Sequence, residues 1–433
     1  MQGYSVWRRA LGLTGQAVIE RVEFDEDADE AVVSVRLYRS EPLRCGRCGV
    51  VAPGYDRGEG PRRWRALDLG PVRVSIEATM PRVRCPEHGP TVVAVPWARH
   101  QARHTRYFDE TVAWLARHCA KSMVAMMLRV AWETVGSIIT RVMAEVDGLG
   151  EDRFADVRRI GIDEVSYQRG HKYLVVVVDH ANGRLLWVGK GRTKKTLGAF
   201  FDALGEEGCR RIALVSADGA DWIADMVGLR CPNAEQCVDP FHVVSWVVTA
   251  VDMVRRRKVG EARRGGDNKM LTTLSESRWA VLKNPDRLNP QQRTKLTEIQ
   301  KENNELYRAY LLKEQFRQIF TAGGEERIEI FDEWMVWASH SRIPEIVEAA
   351  RKMRRFRDDI ANTLTHGLTN AIVEGLNSRV RLIINIARGF RSVEALMALM
   401  QLHLGIYQPQ LPGRKPTPRQ RQARARLAVL TAA

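Results

Sequence analysis

The sequence predicts a multidomain α/β protein. It would comprise a small metal-clipped β domain, a helical pair, and a sheet-based core interrupted by an all-helical insertion. Three observations predict this. Val157–Val188 reads as three strands in quick succession, two Cys/His pairs of metal-ligand spacing lie near the N-terminus, and Arg255–Thr365 is a charged helical block set between strand-forming and helical core segments.

Composition narrows the partners. The chain has 433 residues, enough for several domains, and a formal net charge of +15, which favours a polyanion. No stretch reaches the roughly 18 apolar residues of a membrane span, so no membrane partner is expected. The most apolar segment, Val243–Val254, is flanked by His242 and contains Asp252, and it reads as a core helix. Met1–Gln16 lacks the apolar run of a signal peptide. With seven cysteines, an odd number, the expectation is reduced thiols in a cytoplasmic protein.

Residues 1–98 form the expected zinc-binding domain. Met1–Gly15 reads as a loose arm, followed by strands Ala17–Phe24 and Ala31–Tyr38 around the acidic turn Asp25–Glu30. Cys45-Gly-Arg-Cys48 and Cys85-Pro-Glu-His88 match a four-ligand structural Zn²⁺ site, with Gly46 and Gly49 letting backbone amides turn toward sulfur. Between them, Arg62–Leu67 and Val72–Ala78 alternate like ribbon strands. The competing reading is a reduced or redox-active CxxC, which lacks its usual helical context here. Arg47, Arg57, Arg62, Arg63, Arg65, Arg82 and Arg84 give the domain a basic surface, either a DNA contact or a solvated face.

Residues 99–150 form the expected helix-turn-helix domain. Pro90–Thr105 reads as a linker ending in the basic run Arg99–Arg106. Tyr107–Cys119 is amphipathic, Ser122 is placed to cap Met123–Val130, and Trp132–Val146 is a longer helix. Its polar face carries Thr134, Ser137, Thr140 and Arg141, of which Ser137 and Arg141 are candidate DNA contacts. Trp132, Val135, Ile138, Ile139 and Val142 are its core stripe. An ordinary helical hairpin is the alternative, because the turn near Arg129–Trp132 lacks the favoured glycine.

Residues 151–254 are read as the first part of the core. Val157–Ile162 would end on Asp163-Glu164, Tyr173–Val178 is an apolar run buried on both faces, and Arg184–Val188 follows the hairpin signal Asn182-Gly183. Helix Thr193–Leu204, strand Ile212–Ser216, helix Asp221–Met226, strand Gln236–Asp239 and a long helix from near Val243 complete a ribonuclease H-like order of elements. Residues 255–365 are the insertion, with helices Pro290–Leu312, Glu314–Ala322, Arg327–Ser339 and Pro344–Arg357. Its cationic patches Arg255–Lys258, Arg263-Arg264 and Arg351–Arg357 would either track phosphates or be solvated helix faces. Residues 366–408 are the second part of the core, carrying helices Thr369–Leu382 and Ser392–Leu404. Residues 409–433 are a basic tail.

A carboxylate beside a dry core needs a cation, and a divalent metal is the strongest candidate. Asp163 and Asp218 follow apolar strands, and Glu374 lies near the start of a helix. Together they suit two Mg²⁺ or Mn²⁺ ions clamping the attacking and leaving oxygens of a phosphodiester, Asp163 bridging both, Asp218 holding one and Glu374 the other. On the same face of the helix as Glu374, Asn370, Asn377 and Arg381 are placed to contact flanking phosphates. Glu164 competes with Asp163, and Asp221 with Asp218. His242 is either near the metals, contacting DNA or tuning a water, or a satisfied helix-start histidine.

With these residues assembled, the chain resembles bacterial insertion-sequence transposases of the ISL-three type. The resemblance rests on Gly161-Ile-Asp-Glu164, Val215-Ser-Ala-Asp218-Gly219, Val238-Asp-Pro-Phe-His242-Val243 and Thr369-Asn-Ala-Ile-Val-Glu374-Gly-Leu-Asn377-Ser-Arg379, with the N-terminal Cys/His set and the helix-turn-helix. It covers nearly the whole chain. It implies a DDE transposase with Asp163, Asp218 and Glu374 as triad, acting on double-stranded DNA at terminal inverted repeats and at a target. It also implies a dimer or larger assembly on DNA, in the nucleoid of a bacterial cytoplasm. One departure is that the family's Asp-Arg-Phe-His stretch is Asp239-Pro-Phe-His242 here, which removes a possible phosphate contact. The alternatives are a catalytically inactive zinc-ribbon/helix-turn-helix regulator and a nuclease without strand transfer.

Overall fold

The computed structural model describes residues 4–13, 15, 17–148, 153–320, 326–368, 371–386, 390, 392–407 and 409–414. The chain divides into two compact units, Met1–Asp152 with Ile383–Ala433, and Arg153–Leu382. Most of the expected basic tail lies outside the described residues.

In the first unit, α1 (Ser5–Ala10) replaces the expected loose arm, because Leu11 and Leu13 bury themselves in the domain's core. Strands β1 (Ala17–Asp25) and β2 (Glu30–Leu37) form a hairpin. Then come β3 (Gly54–Asp56), β4 (Pro61–Arg65), β5 (Arg73–Thr79), β6 (Arg82–Cys85) and β7 (Gly89–Val92). The sheets are ordered β1-β2-β5-β4 and β3-β6-β7. The strands between the two ligand pairs therefore join the N-terminal hairpin, and alternation puts Val33, Val35, Val74 and Ile76 inside with Trp64.

Pro90–Thr105 is no linker. Trp97 and Ala98 fill the same core, Arg65 N donates to Arg103 O at 2.9 Å, and Thr105 N donates to Arg65 O at 2.8 Å. Arg99, the first residue of the basic run, is buried among Asp109, Glu110 and Glu145, where a guanidinium's five donors can serve several carboxylates.

Helix α2 (Arg106–His118) is capped by Thr105, whose hydroxyl accepts from Phe108 N. Helices α3 (Lys121–Met127) and α4 (Trp132–Gly148) are bent by 104°, the angle of a helix-turn-helix. Ser122 does not cap α3, which starts two residues earlier than expected. The missing turn glycine is replaced by Arg129, held at φ 52°. Its side chain is anchored on Asp68 (2.9 Å) and on Pro71 O (2.8 Å), contacts that offset the cost of the left-handed backbone.

In the second unit, β8 (Arg159–Gln168), β9 (Lys172–Asp179) and β10 (Leu185–Lys190) are antiparallel neighbours. Helix α5 (Lys194–Arg211) breaks at Gly205, where its first part was expected to end, and then resumes. Strand β11 (Leu214–Ala217), α6 (Asp221–Arg230), β12 (Glu235–Val238) and α7 (Pro240–Gly265) follow. The sheet order is β10-β9-β8-β11-β12, with β8, β11 and β12 mutually parallel. Strand β8 does not end before Asp163-Glu164, as read from the sequence, but runs through them.

The insertion supplies α8 (Asn268–Glu276), α9 (Arg278–Leu282), α10 (Pro290–Glu302), α11 (Asn304–Ile319), α12 (Glu326–Ser339), α13 (Pro344–Arg355) and α14 (Arg357–His366). The expected single helix from Pro290 to Leu312 breaks at Asn303, whose side chain caps the next helix through Leu306 N at 3.0 Å. Val243, Val247 and Val251 of α7 share one apolar core with Phe316, Phe331 and Trp334, so the insertion grows out of α7 rather than standing apart. Its cationic patches are largely neutralised. Arg257 meets Glu305 at 2.6 Å and Glu345 at 2.7 Å, Arg255 meets Asp252 at 2.7 Å, and Arg357 meets Asp332 at 2.6 Å. Along the outer edge of β12, Asn362 and Thr363 of α14 donate to the carbonyls of Gln236 and Val238 at 3.0 and 2.8 Å. That closes an edge otherwise open to strand addition.

Helix α15 (Ala371–Ile386) follows, and α16 (Val393–Leu404) packs on α2 and α4, so it belongs with the helix-turn-helix rather than the sheet. Gly136 allows this, since its position approaches the Ala395 methyl. No single helix among the described residues is long and apolar enough to cross a membrane.

Trp334 is fully buried and its indole donates to Leu312 O at 2.8 Å, whereas Trp337 is 49% exposed. Trp334→Ala should therefore cost about 3–5 kcal/mol, and Trp337→Ala should change stability by under about 1 kcal/mol. The shift in urea midpoint checks both.

Candidate active site

The site begins with strand register. Ile162, Ala217 and Val238 sit side by side on β8, β11 and β12. The next residue in each case is an aspartate, Asp163 within β8 and Asp218 and Asp239 directly after β11 and β12, so the three line up where the two shorter strands end. Period-2 alternation puts them on the same face, with Gly161 and Ser216 one step behind Asp163 and Asp218. Glu164, the alternative to Asp163, falls on the opposite face and pairs with Arg192 at 2.8 Å.

Gly161 and Ser216 make a low floor, and α15 docks over it. A Cβ at position 161 would overlap the Val373 methyl. One turn further along the helix, buried Asn377 donates its amide N–H to Asp163 Oδ2. Asn377, expected from the sequence as a phosphate contact, is thus buried and engaged with a carboxylate. Glu374, three residues before Asn377, is exposed on the Asn377 side of the buried stripe Val373, Leu376, Asn377 and Val380. Arg381 is exposed on the same helix, and Asn370 lies outside the described residues.

His242 opens α7, whose N-terminal cap is Asp239. Its Nδ1 lies 3.0 Å from Asp218 Oδ1 and 3.0 Å from Asp239 Oδ2. One N–H cannot serve both. The hydrogen bond goes to Asp239, and the buried Asp218 Oδ1 has no hydrogen-bond partner. Burial, and then the neighbouring Asp163 charge, push the Asp218 carboxyl up to about 6. Burial also raises Asp163. The hydrogen bond to Asp239, reinforced by the Asp218 charge, raises the His242 imidazole. Crowded oxygen donors with an orphaned buried oxygen are a good fit to a hard divalent cation. Among the described residues, Asp218, Asp239 and His242 form a set of possible metal donors within 4.8 Å of one another, while Asp163 and Glu374 lie outside that set.

Asp239 was not among the site residues read from the sequence. The signal was available: three short apolar runs, each followed directly by an aspartate.

A second donor set lies in the first unit, where Cys45, Cys48, Cys85 and His88 offer ligand atoms within 4.8 Å of one another. Cys48 and Cys85 sulfurs are 3.6 Å apart, and His88 Nδ1 is 3.6 Å from Cys85 and 3.8 Å from Cys45. Tetrahedral zinc with bonds of about 2.0–2.3 Å places its ligands about 3.5–3.8 Å apart, so the set fits structural zinc. Gly49 turns the knuckle at φ 73°, whereas Gly46 is needed for close approach to Val92 O and His100. Several arginines of the expected basic surface are engaged: Arg63 with Glu77 (2.8 Å), Arg65 with Asp68, and Arg82 with Asp56. In the helix-turn-helix, Ser137 is exposed on α4, and Arg141 pairs with the buried Asp109 at 3.1 Å.

Comparison with known proteins agrees along the chain. Residues 160–400 match a transposase family, residues 93–143 match the helix-turn-helix domain of transposase family ISL3, and residues 41–88 match the zinc-finger of transposase IS204/IS1001/IS1096/IS1165. The transposase for insertion sequence element IS1557 from two strains of Mycobacterium tuberculosis is 50% identical over 441 residues, covering 96% of this chain and 99% of the relative. The transposase for insertion sequence element IS1001 of Bordetella parapertussis is 27% identical over 380 residues, covering 87% of this chain and 92% of the relative.

Two outcomes are expected. Gly161→Val should lift α15 from the sheet, seen as faster amide exchange across residues 371–382 with β9 still protected. Removing zinc with a chelator, or Cys48→Ser, should unfold the N-terminal β domain, seen as loss of protection in β6 and β7 while β8–β10 are unchanged.

Proposed function

This chain belongs to the ISL3 family of insertion-sequence transposases, and from that premise we propose that it cuts DNA at the ends of its element and joins the freed 3′-hydroxyl to target DNA. The observation that carries the chemistry is the parallel register that sets Asp163 beside Asp218, with the Glu374-bearing helix fixed to Asp163 through Asn377. The strand order supports an RNase H-like core interrupted by the helical insertion. Asp163, Asp218 and Glu374 are the proposed ligands of two Mg²⁺ or Mn²⁺ ions, which when bound activate a water or 3′-hydroxyl and stabilise the leaving oxygen.

The protein's own part is positioning. Asn377 donates to one Asp163 oxygen and the backbone N–H of Glu164 donates to the other at 2.6 Å, which together fix the orientation of the carboxylate. Val373, seated on Gly161, sets the height of α15 and with it the approach of Glu374. Arg381 on the same helix is placed to neutralise a phosphate. The zinc-type domain and the helix-turn-helix, with Ser137 on the exposed face of α4, are the proposed binders of terminal inverted repeats. Joining two ends calls for at least two copies on DNA, acting on the nucleoid in a bacterial cytoplasm. Retention of all three acids disfavours an inactive regulator.

The test is Mg²⁺-dependent excision from a donor plasmid carrying the element's flanking sequences. Asp163→Ala, Asp218→Ala and Glu374→Ala should each lower cleavage by about 10²–10³-fold or more while binding to the ends persists. Cleavage without joined product would instead establish a nuclease. Cleavage unchanged in all three variants would overturn the assignment.

A further inference from the structure

The His242 contacts carry more than a helix cap. Its Nδ1 is 3.0 Å from one oxygen of Asp218 and 3.0 Å from one of Asp239. As a hydrogen-bond arrangement this is frustrated, because a single proton faces two acceptors and the Asp218 oxygen is left buried without a hydrogen bond. The Asp218 side chain is 32% exposed, but this oxygen itself is buried, on the side that faces His242. As a ligand arrangement the same distances are ordinary. Adjacent ligands of an octahedral ion with bonds of about 2.1 Å lie about 3.0 Å apart.

Resting on the two-metal reading above, we propose that His242 and Asp239 join Asp218 as direct ligands of one divalent ion, making that position a mixed nitrogen–oxygen site. The strand register and the helix cap prebuild it: Asp218 and Asp239 end neighbouring parallel strands, and His242 stands three residues past Asp239 on the first turn of α7. On binding, the Nδ1 proton leaves to solvent and the ring nitrogen's lone pair faces the ion. The two positions of the site then differ in kind. The one on the Asp218 side includes an imidazole, which favours Mn²⁺ over Mg²⁺, while the one near Glu374 has oxygen ligands alone.

The experiment uses the full-length, zinc-loaded protein with Mn²⁺ as the only added ion, read by pulsed electron paramagnetic resonance. Bound Mn²⁺ should show ¹⁴N coupling that converts to the ¹⁵N pattern when histidine is labelled. His242→Gln should lose that coupling and bind Mn²⁺ about 10- to 100-fold more weakly. Asp239→Asn should keep the coupling and weaken binding. Wild-type protein that binds Mn²⁺ without nitrogen coupling, or coupling that survives in His242→Gln, overturns the proposal and leaves the two-metal reading standing. The wild-type arm does not depend on any variant folding. Failure of the wild type to bind Mn²⁺ at all overturns both.

Discussion

Mutual repulsion among carboxylates is the constraint around which the second unit is arranged. Parallel pairing of β8, β11 and β12 forces Asp163, Asp218 and Asp239 together where burial makes each charge costly. Nothing in the hydrophobic core rewards that placement. The surrounding features offset it in part: Asn377 donates to Asp163, His242 serves Asp239, and small residues behind them let α15 come close. What they leave unanswered is the buried Asp218 oxygen without a hydrogen bond. Under the proposed function, that local cost is what readies the site for a divalent ion.

Much of this was legible in the sequence because its signals are local. A continuous Leu174–Val178 run means a doubly buried strand, Asn182-Gly183 means a hairpin, and CxxC with a matching Cys/His pair means a metal clip. The Cys/His set and the order of the core elements are legible that way, and the same local signals single out Asp163 and Asp218 as candidates. What local signals could not give was pairing. That Asp163 lies inside a strand depends on β9 continuing beside it, and that Asp239 joins the other two depends on β12 lying next to β11.

Pairing over distance also decides which polar groups are already engaged. Asn377 and Arg141 read as DNA contacts because amides and guanidiniums on helix faces suit phosphates. Each turned out to have an intramolecular carboxylate partner, Asp163 and Asp109, from distant sequence. The cationic patches of the insertion are read from runs of Arg and Lys, and their acidic partners come partly from the same helix, as Asp252 does, and partly from others, as Glu305 and Glu345 do. Net charge survives such pairing, whereas the location of free positive charge does not follow from it.

The left-handed Arg129 has a consequence beyond its own turn. By reaching Asp68 and Pro71, it fastens the elbow of the helix-turn-helix to the loop between β4 and β5, while Arg65 is zipped to Arg103 and Thr105. The metal-clipped domain and the helical pair therefore cannot swivel on a hinge, as tethered reading heads usually do. A ligand that spanned both would meet a preset calliper, its jaw spacing a property of the fold and not of the ligand.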